Sequence, residues 1–355
     1  MKQKVVVGMS GGVDSSVAAY LLKEQGYDVI GVTMKIWQEE DSCSIDNGGC
    51  CGLSAVEDAR RVADVLGIPY YVMDFRKEFK AEVIDNFLSE YLCGRTPNPC
   101  IVCNRRIKWE ALLKRSLEIG AEYMATGHYS NILRLPNGRY TFKTAQSSKD
   151  QTYALFNLTQ EHLAHTLMPI GQYTKDEIRK IAADNNLPVA NKPDSQDICF
   201  VPDNDYASYI SAHTDARIEE GNFVDLKGNV LGRHKGITHY TVGQRKGLGL
   251  SMGHPVFVLA IRPDTNEVVI GENDETFTDT LYCNRLNFMA VEDLVGKEKV
   301  MAKIRYSHQG SPCTIEKVDK DTVKCNFDSP VRAVTPGQAV VFYKENYVYG
   351  GGIII

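Results

Sequence analysis

The sequence predicts an α/β domain built on a parallel sheet over residues 1–204, a small β-rich domain over 205–271 and a C-terminal β-barrel over 272–355. Three observations lead there. Short apolar runs alternate with stretches that carry apolar residues at helical spacing, the βαβα order of a parallel sheet covered on both faces. A glycine-rich turn, Gly8 to Ser15, joins the first such run to the first helical stretch. From about Asp205 the pattern changes to short extended runs, at 223–226, 256–261, 268–270, 300–306, 323–327 and 340–343, separated by glycine, asparagine and proline.

Residues 5–7 are too few for a helix and read as a buried strand, followed by a helix over 14–25. Gly8, Gly11 and Gly12 let the backbone bend and deliver amide N–H groups at the helix start, an anion cradle suited to phosphate. Gly26 stops the helix, and 29–34 is the second strand. A polar, glycine-rich loop spans 42–52. Ser54 and Glu57 form a capping box before the apolar stripe Val56, Ala59, Val62, Ala63 and Leu66, closed by Gly67 and Pro69. The third strand is 70–74, a helix covers 79–91, a proline-broken loop runs over 94–103, and a basic helix continues to about 118. A strand at 123–126 ends in Gly127 and His128. Ligands of such sheets bind outside the carboxyl ends of the strands, where the glycine turn, Met34 and Gly127 lie. Pro136, Asn137 and Gly138 make a hairpin turn. Thr174 with Glu177 caps a helix ending before Pro188, and the loop 191–202 carries Cys199. The stretch 350–355 suits a terminal strand, though its glycines equally suit a mobile tail.

The 355 residues have room for two or three domains, and 24 % charged with 43 % hydrophobic residues excludes a disordered chain. No run of eighteen apolar residues is present, so no membrane span is expected. Met1, Lys2 and Gln3 lead straight into a strand without room for a signal peptide, and the expected location is cytoplasmic. A net charge of −5 gives no global pull on nucleic acid, but basic patches occur at 104–115 (Arg105, Arg106, Lys108, Lys114, Arg115) and 233–246 (Arg233, Lys235, Arg245, Lys246). Each patch taken alone reads as a solvated face. Ten cysteines in a cytoplasmic chain point to metal or sulfur chemistry rather than a disulfide framework, and only Cys100 and Cys103 form C-x-x-C. Cys43, Cys50 and Cys51 lack a partner pair and read as thiols without a role.

The turn lacks the lysine of G-x-x-x-x-G-K-[ST] and does not match G-x-G-x-x-G. It resembles the S-G-G-x-D-S pyrophosphate loop of the ATP pyrophosphatase superfamily, which implies an adenine-nucleotide alpha-hydrolase-like domain. Further stretches carry a closer resemblance: G-R-T-P-N-P-C-I-V-C-N from Gly94, A-T-G-H-Y from Ala125, K-D-Q from Lys149 and D-S-Q-D-I-C-F from Asp194. Downstream, G-I-T-H-Y-T-V-G-Q-R-K-G-L-G from Gly236 and T-P-G-Q from Thr335 continue it. In this order and over nearly the whole chain, they are similar to the bacterial tRNA-specific 2-thiouridylases, which replace oxygen by sulfur at C2 of the wobble uridine.

The resemblance implies ATP on Gly8, Met9, Ser10, Gly11, Gly12, Val13, Asp14 and Ser15, with Met34 and Gly127 beside the nucleotide. Asp14 either positions Mg2+ or caps the helix. Uridine C2 carries a poor leaving oxygen, so ATP first adenylates it and sulfur then displaces AMP. In the family's scheme the position of Cys199 carries a persulfide and that of Cys103 is the nucleophile that attacks it, which brings in a disulfide bond. Arg105 and Arg106 stand next to Cys103, where they would lower its pKa. Read alone, Cys199 beside Ile198 and Phe200 is a buried small hydrophobe. Many members have aspartate in place of Cys100. Here Cys100, Cys103 and Cys199 offer three thiolates, suited to a [4Fe–4S] cluster with one open iron, a route proposed for this family; zinc is the third option. The persulfide comes first.

The target base must leave its stack to reach the adenylate. By resemblance Asn98, Pro99 and Cys100 line its pocket; His128, Lys149, Asp150 and Gln151 touch tRNA; and Arg305, Tyr306 and Gln338 reach it from the C-terminal domain. The expected partners are tRNA, through its anticodon loop, and a sulfur-donor protein of a cysteine-desulfurase relay. Two other classes share part of the pattern. A pyrophosphate-loop ligase acting on a small molecule needs neither Cys103 nor Cys199, and a zinc-knuckle RNA-binding protein leaves the Ser10 to Ser15 loop unexplained.

Overall fold

The computed structural model describes residues 2–36, 53–194, 198–201 and 204–355. The loop expected at 42–52, with Cys43, Cys50 and Cys51, lies outside the described residues, as do Ser195, Gln196 and Asp197. The chain divides into two compact units: Met1–Val83 with Cys100–Asn204 and Asn346–Val348, and Ile84–Pro99 with Asp205–Glu345 and Tyr349–Ile355.

In the first unit the strands in chain order are Lys4–Gly8 (β1), Asp28–Lys35 (β2), Tyr70–Asp74 (β3), Tyr123–Ala125 (β4), the hairpin Asn131–Arg134 (β5) and Tyr140–Lys143 (β6), and Thr166–Leu167 (β7). The parallel sheet has the order β3-β2-β1-β4-β7. Val5, Val6 and Val7 are fully buried, as expected where both faces of a strand are covered. The helices Val13–Glu24 (α1) and Leu53–Leu66 (α2) cover the sheet through Val17, Ala18, Leu22, Ala59 and Val62, joined by Ile178 and Ala182 of the helix Lys175–Asp184. The order reverses about β1, so the crevice of this sheet opens at the carboxyl ends of β1 and β4.

Many predicted elements stand within a residue or two of their expected limits; others differ, among them the runs expected at 300–306 and 323–327, observed as Lys297–Lys303 and Val323–Arg332. Helix α2 begins at Leu53, so Ser54 lies inside its first turn and is not the cap. The stretch 94–103 is not wholly loop: a helix runs Pro99–Cys103 and continues as a π-helix over Asn104–Leu112 and an α-helix over Leu113–Glu118. Pro99 opens that helix, where its missing N–H costs nothing and its fixed φ is already helical. The helix expected over 79–91 is observed as Arg76–Phe79, a π-helical turn Lys80–Ile84 and Asp85–Leu92. By contrast, the Thr174 capping box forms in full: Thr174 Oγ1 accepts from the Glu177 N–H at 3.3 Å and the Glu177 carboxylate accepts from the Thr174 N–H at 2.7 Å.

The second unit holds two β structures. The strands Gly221–Val224 (β8), Val230–His234 (β9), Phe257–Arg262 (β10) and Glu267–Gly271 (β11) form a sheet of order β10-β11-β8-β9 around Phe223, Tyr240, Val258 and Val268. Phe277–Phe288 (β12), Lys297–Lys303 (β13), Ser311–Lys317 (β14), Val323–Arg332 (β15), Ala339–Lys344 (β16) and Tyr347–Ile354 (β17) follow in the order β12-β15-β14-β13-β16-β17. β17 also pairs with β12, which closes a six-stranded barrel. The stretch left open between strand and mobile tail is thus the closing strand.

The turn after β1 requires glycine at one position. Gly11 has φ +69°, and a Cβ there would lie 2.3 Å from the Ala55 carbonyl oxygen of α2. Gly11→Ala therefore combines a left-handed backbone with an overlap that only backbone movement relieves, and should destabilise the protein by about 2–4 kcal/mol. Urea denaturation of the variant checks this; a loss below about 1 kcal/mol would mean that α2 yields easily.

Candidate active site

β1 delivers the loop. Met9 is buried, its N–H extends the ladder to the Val32 carbonyl at 2.8 Å, and its carbonyl accepts from Thr33 Oγ1 at 2.7 Å. The Ser10 N–H donates to Ser15 Oγ at 3.1 Å, and the Ser15 and Ser16 hydroxyls donate to the Gly12 carbonyl at 3.2 and 2.8 Å. Gly12 is the N-cap of α1 and offers no side-chain bond to the first turn. No side chain caps that turn, so the helix start at Gly11, Gly12, Val13 and Ser15 is open to an anion, while the Met9 and Ser10 N–H groups are bonded within the fold. Met34 near the end of β2 and Gly127 beyond β4 stand at the same edge. A Cβ on Gly127 would lie 2.5 Å from the Ser15 N, so a bare backbone is needed here because the first turn of α1 passes against it.

Asp14 does not cap α1. Its carboxylate accepts from the Tyr129 hydroxyl at 2.7 Å and from Lys175 Nζ at 2.7 and 2.9 Å. Burial and the neighbouring Asp14 charge raise the Tyr129 pKa, so its hydroxyl stays a donor. Lys175 Nζ also lies 2.7 Å from Asp194 Oδ1, and Asp194 further meets Arg179 at 3.2 Å and the Lys149 ammonium. Burial alone would raise the Asp194 pKa, but the hydrogen bonds and charges of Lys149 and Lys175 prevail and hold it at about 2. Lys175, Arg179 and Tyr129 were not among the residues singled out from the sequence. Lys175 is hidden there inside the T-K-D-E capping box, whose cap explains the residues around it.

Several expected tRNA contacts are engaged within the fold. The Asp150 carboxylate accepts from the Thr152 hydroxyl at 2.5 Å and the Ala145 N–H at 2.6 Å, and Gln151 Oε1 accepts from the Tyr129 N–H at 2.9 Å. His128 is buried, its Nδ1 lies 2.7 Å from Thr126 Oγ1 and its Nε2 lies 3.4 Å from Lys108 Nζ. Burial, then the Lys108 charge, pushes its pKa well below the ordinary value, so the ring is neutral at pH 7. In the second unit, Gln338 donates to the carbonyls of Thr96 at 2.8 Å and Pro97 at 3.4 Å, fixing the chain that enters Asn98 and Pro99. Arg305 donates to the Arg332 carbonyl at 2.9 Å, and Tyr306, beyond the end of β13, is exposed.

Cys199 is exposed in a turn closed by the Val201 N–H on the Ile198 carbonyl, and Phe200 packs edge-on against Phe79 at 5.7 Å. It is not the buried hydrophobe that its neighbours suggest. Cys103 is half-buried and Cys100 exposed, on one short helix. Arg105 bonds Glu110 and the Asn157 carbonyl, and Arg106 bonds Glu110 and Glu82. Cys283, Cys313 and Cys325 are buried in the barrel, where burial, with Cys283 and Cys313 adjoining, pushes the Cys325 thiol up; they pack as small apolar residues. Among the described residues no group of three or more His, Cys, Asp or Glu is placed to hold a metal ion. No described helix is long and apolar enough to cross a membrane.

The neutral His128 fixes a pH dependence. Its folded pKa lies below its unfolded value near 6.5, so the unfolded state binds more protons between the two and stability falls as pH drops below about 6.5. His128→Gln should flatten part of that fall, read as urea midpoints between pH 7 and pH 5; an unchanged slope would show a ring already charged in the folded state.

Three family profiles match the chain: the tRNA methyl transferase HUP domain at residues 3–203, the tRNA methyl transferase PRC-barrel domain at 208–272 and the aminomethyltransferase beta-barrel domain at 278–354. Among curated proteins, the tRNA-specific 2-thiouridylase of Lachnoclostridium phytofermentans is 67 % identical over 99 % of both chains. That of Clostridioides difficile is 58 % identical over 100 % of this chain and 98 % of its own, and that of Clostridium kluyveri is 57 % identical over 100 % and 99 %. With the pyrophosphate loop at the sheet edge and an exposed Cys199 and half-buried Cys103 in the same unit, these full-length identities establish that the chain belongs to the tRNA-specific 2-thiouridylase family.

Proposed function

We propose that the protein catalyses ATP-dependent 2-thiolation of the wobble uridine, position 34, of tRNA, giving 2-thiouridine, AMP and pyrophosphate. The observation that carries this reading is the S-G-G-V-D-S cradle at the carboxyl edge of the sheet in a unit that also presents Cys103 and Cys199. The uridine C2 oxygen attacks the α-phosphorus of ATP and pyrophosphate leaves. Sulfur then adds at C2 and AMP departs with the oxygen. Donors aimed at phosphate, rather than a nucleophile for phosphorus, are what the first step needs, and the amides at the start of α1 with the Ser10 hydroxyl are of that kind. Mg2+, when bound with ATP, would draw on Asp14 and neutralise phosphate charge.

For the second step Cys199 receives a sulfane sulfur from a donor protein of a cysteine-desulfurase relay and holds it as a persulfide. The Cys103 thiolate attacks Cys199 Sγ; the terminal sulfur leaves with the electron pair of the broken S–S bond, as sulfide or already bonded to C2. A Cys103–Cys199 disulfide remains, and a dithiol reductant returns both thiols with two electrons. Exposure of Cys199 favours access by a protein donor. Cys100 and Lys149 in the first unit, and Asn98, Arg305 and Tyr306 in the second, each offer surface to the anticodon loop; His128, Asp150 and Gln151 in the first unit and Pro99 and Gln338 in the second act as supports within their own units. We further read 1–204 as the catalytic domain, 205–271 as the central domain and 272–355 as the tRNA-binding barrel, working in the cytoplasm where ATP, tRNA and reduced thiols meet.

Cys103→Ser and Cys199→Ser should each abolish 2-thiouridine formation while ATP binding and tRNA-dependent pyrophosphate release persist. Mass spectrometry of nucleosides from treated tRNA, beside pyrophosphate measurement, decides it. AMP formed with a small molecule and not with tRNA would instead indicate a pyrophosphate-loop ligase. Lys149→Ala should weaken tRNA binding most at low salt and reduce the slope of log K against log salt by about one; an unchanged slope removes Lys149 from the phosphate contacts.

A further inference from the structure

The loop at the end of β1 contains no basic residue, since Gly8 to Tyr20 has neither lysine nor arginine. Cleavage of ATP with release of pyrophosphate nevertheless builds negative charge on the departing phosphates, which dipoles and one divalent cation only partly balance. A cation arrives from elsewhere in the unit. Lys175 Nζ sits 2.7 Å from Asp14 Oδ1 and 2.7 Å from Asp194 Oδ1, its side chain 13 % exposed. It is the first residue of its own helix, whose positive end disfavours an ammonium group, so helix formation does not account for its presence. The three side-chain cations Lys149, Lys175 and Arg179 converge on the single carboxylate of Asp194, which is held ionised. Three cations thus face two carboxylates, Asp194 and Asp14, a net positive cluster of the kind that suits a polyanion.

We infer that Lys175 is the cation that meets the departing phosphates of ATP, and that Asp194 is an exchangeable anion that occupies their place until they arrive. The inference rests on the thiolation reading above and adds to it a lysine taken from a different helix, which does for this loop what the loop's own lysine does in G-x-x-x-x-G-K-[ST]. A pyrophosphate group carries several charges where Asp194 carries one, so it outcompetes the carboxylate for Lys175 and Arg179. Asp194 precedes Cys199 by five residues in the sequence, and alkylation of Cys199 serves as a second readout of its release.

The test uses the full chain and inorganic pyrophosphate, titrated calorimetrically into wild type, Lys175→Met, Lys175→Arg and Asp194→Asn, with ATP in the presence of magnesium as a parallel titrant. Lys175→Met should weaken pyrophosphate binding about ten- to a hundredfold and Lys175→Arg by less than about threefold, while Asp194→Asn should tighten it about three- to tenfold because the competitor is gone. Alkylation of Cys199, followed by peptide mass spectrometry, should change on adding pyrophosphate in wild type and not in Asp194→Asn. Equal pyrophosphate affinity in all four proteins, or a Cys199 alkylation rate indifferent to pyrophosphate in wild type, overturns the inference. If Lys175→Met does not fold, the comparison of Asp194→Asn with wild type still decides it. Wild type that binds neither pyrophosphate nor ATP would sink the thiolation reading itself, a result separate from normal ATP binding that ignores Lys175.

Discussion

Everything at the candidate site depends on one close approach, the backbone of Gly127 against the first turn of α1. A Cβ at Gly127 would meet the Ser15 N at 2.5 Å and the Asp14 carbonyl carbon at 2.7 Å. This contact pins the helix start to the end of β4, so the loop amides and the Asp14 carboxylate face the crevice where the strand order reverses. The same segment continues to Tyr129, whose hydroxyl holds Asp14 from the other side. Glycine at 127 thus serves packing first, and the open edge it leaves is a consequence.

Around that contact the unit arranges polar groups in layers. Thr33 and Tyr70 fix the Met9 carbonyl below the loop through bonds of 2.7 Å each. Thr126, Lys108 and Trp109 surround His128 on the flank, with the Trp109 indole donating to Thr166 at 2.7 Å and its ring 5.8 Å from the imidazole. The nine-residue π-helix that follows Cys103 has its buried side formed by Asn104, Ile107, Trp109 and Leu112, and Asn104 is tied to the Ala154 carbonyl at 2.9 Å. π-helical turns recur where a helix must present side chains out of α register, and this one follows directly on Cys103.

Much of the fold was legible because strong local signals coincide with tertiary need. The valines of β1, the Thr174 capping box and the Asn137-Gly138 turn each determine their element almost alone. Pro99 misled because proline breaks a helix in its interior but opens one at its first position, and sequence alone does not tell which end is meant. The site was legible where its chemistry is written in consecutive residues, as in Gly8 to Ser15, and illegible where distant side chains meet. Lys175 and Asp194 are 161 and 180 positions from Asp14, and nothing local marks either as its neighbour. Arg105 and Arg106 follow Cys103 in sequence, and their partners Glu110 and Glu82 are equally unmarked by anything local.

The barrel adds a temporal constraint. Its closing pair joins β12, the first of its strands to be made, with β17, the last, through Cys283 opposite Ile354 and Phe288 opposite Gly350. A chain growing from its N-terminus on the ribosome carries β12 with an unpaired edge until β17 has emerged. During that interval the edge is open to other strands, and Asn284 with Asn287, both on it and neither strongly strand-forming, blunt what an unbroken apolar edge would invite. Closure of the barrel therefore waits for β17, by which time every strand of the parallel sheet has been made.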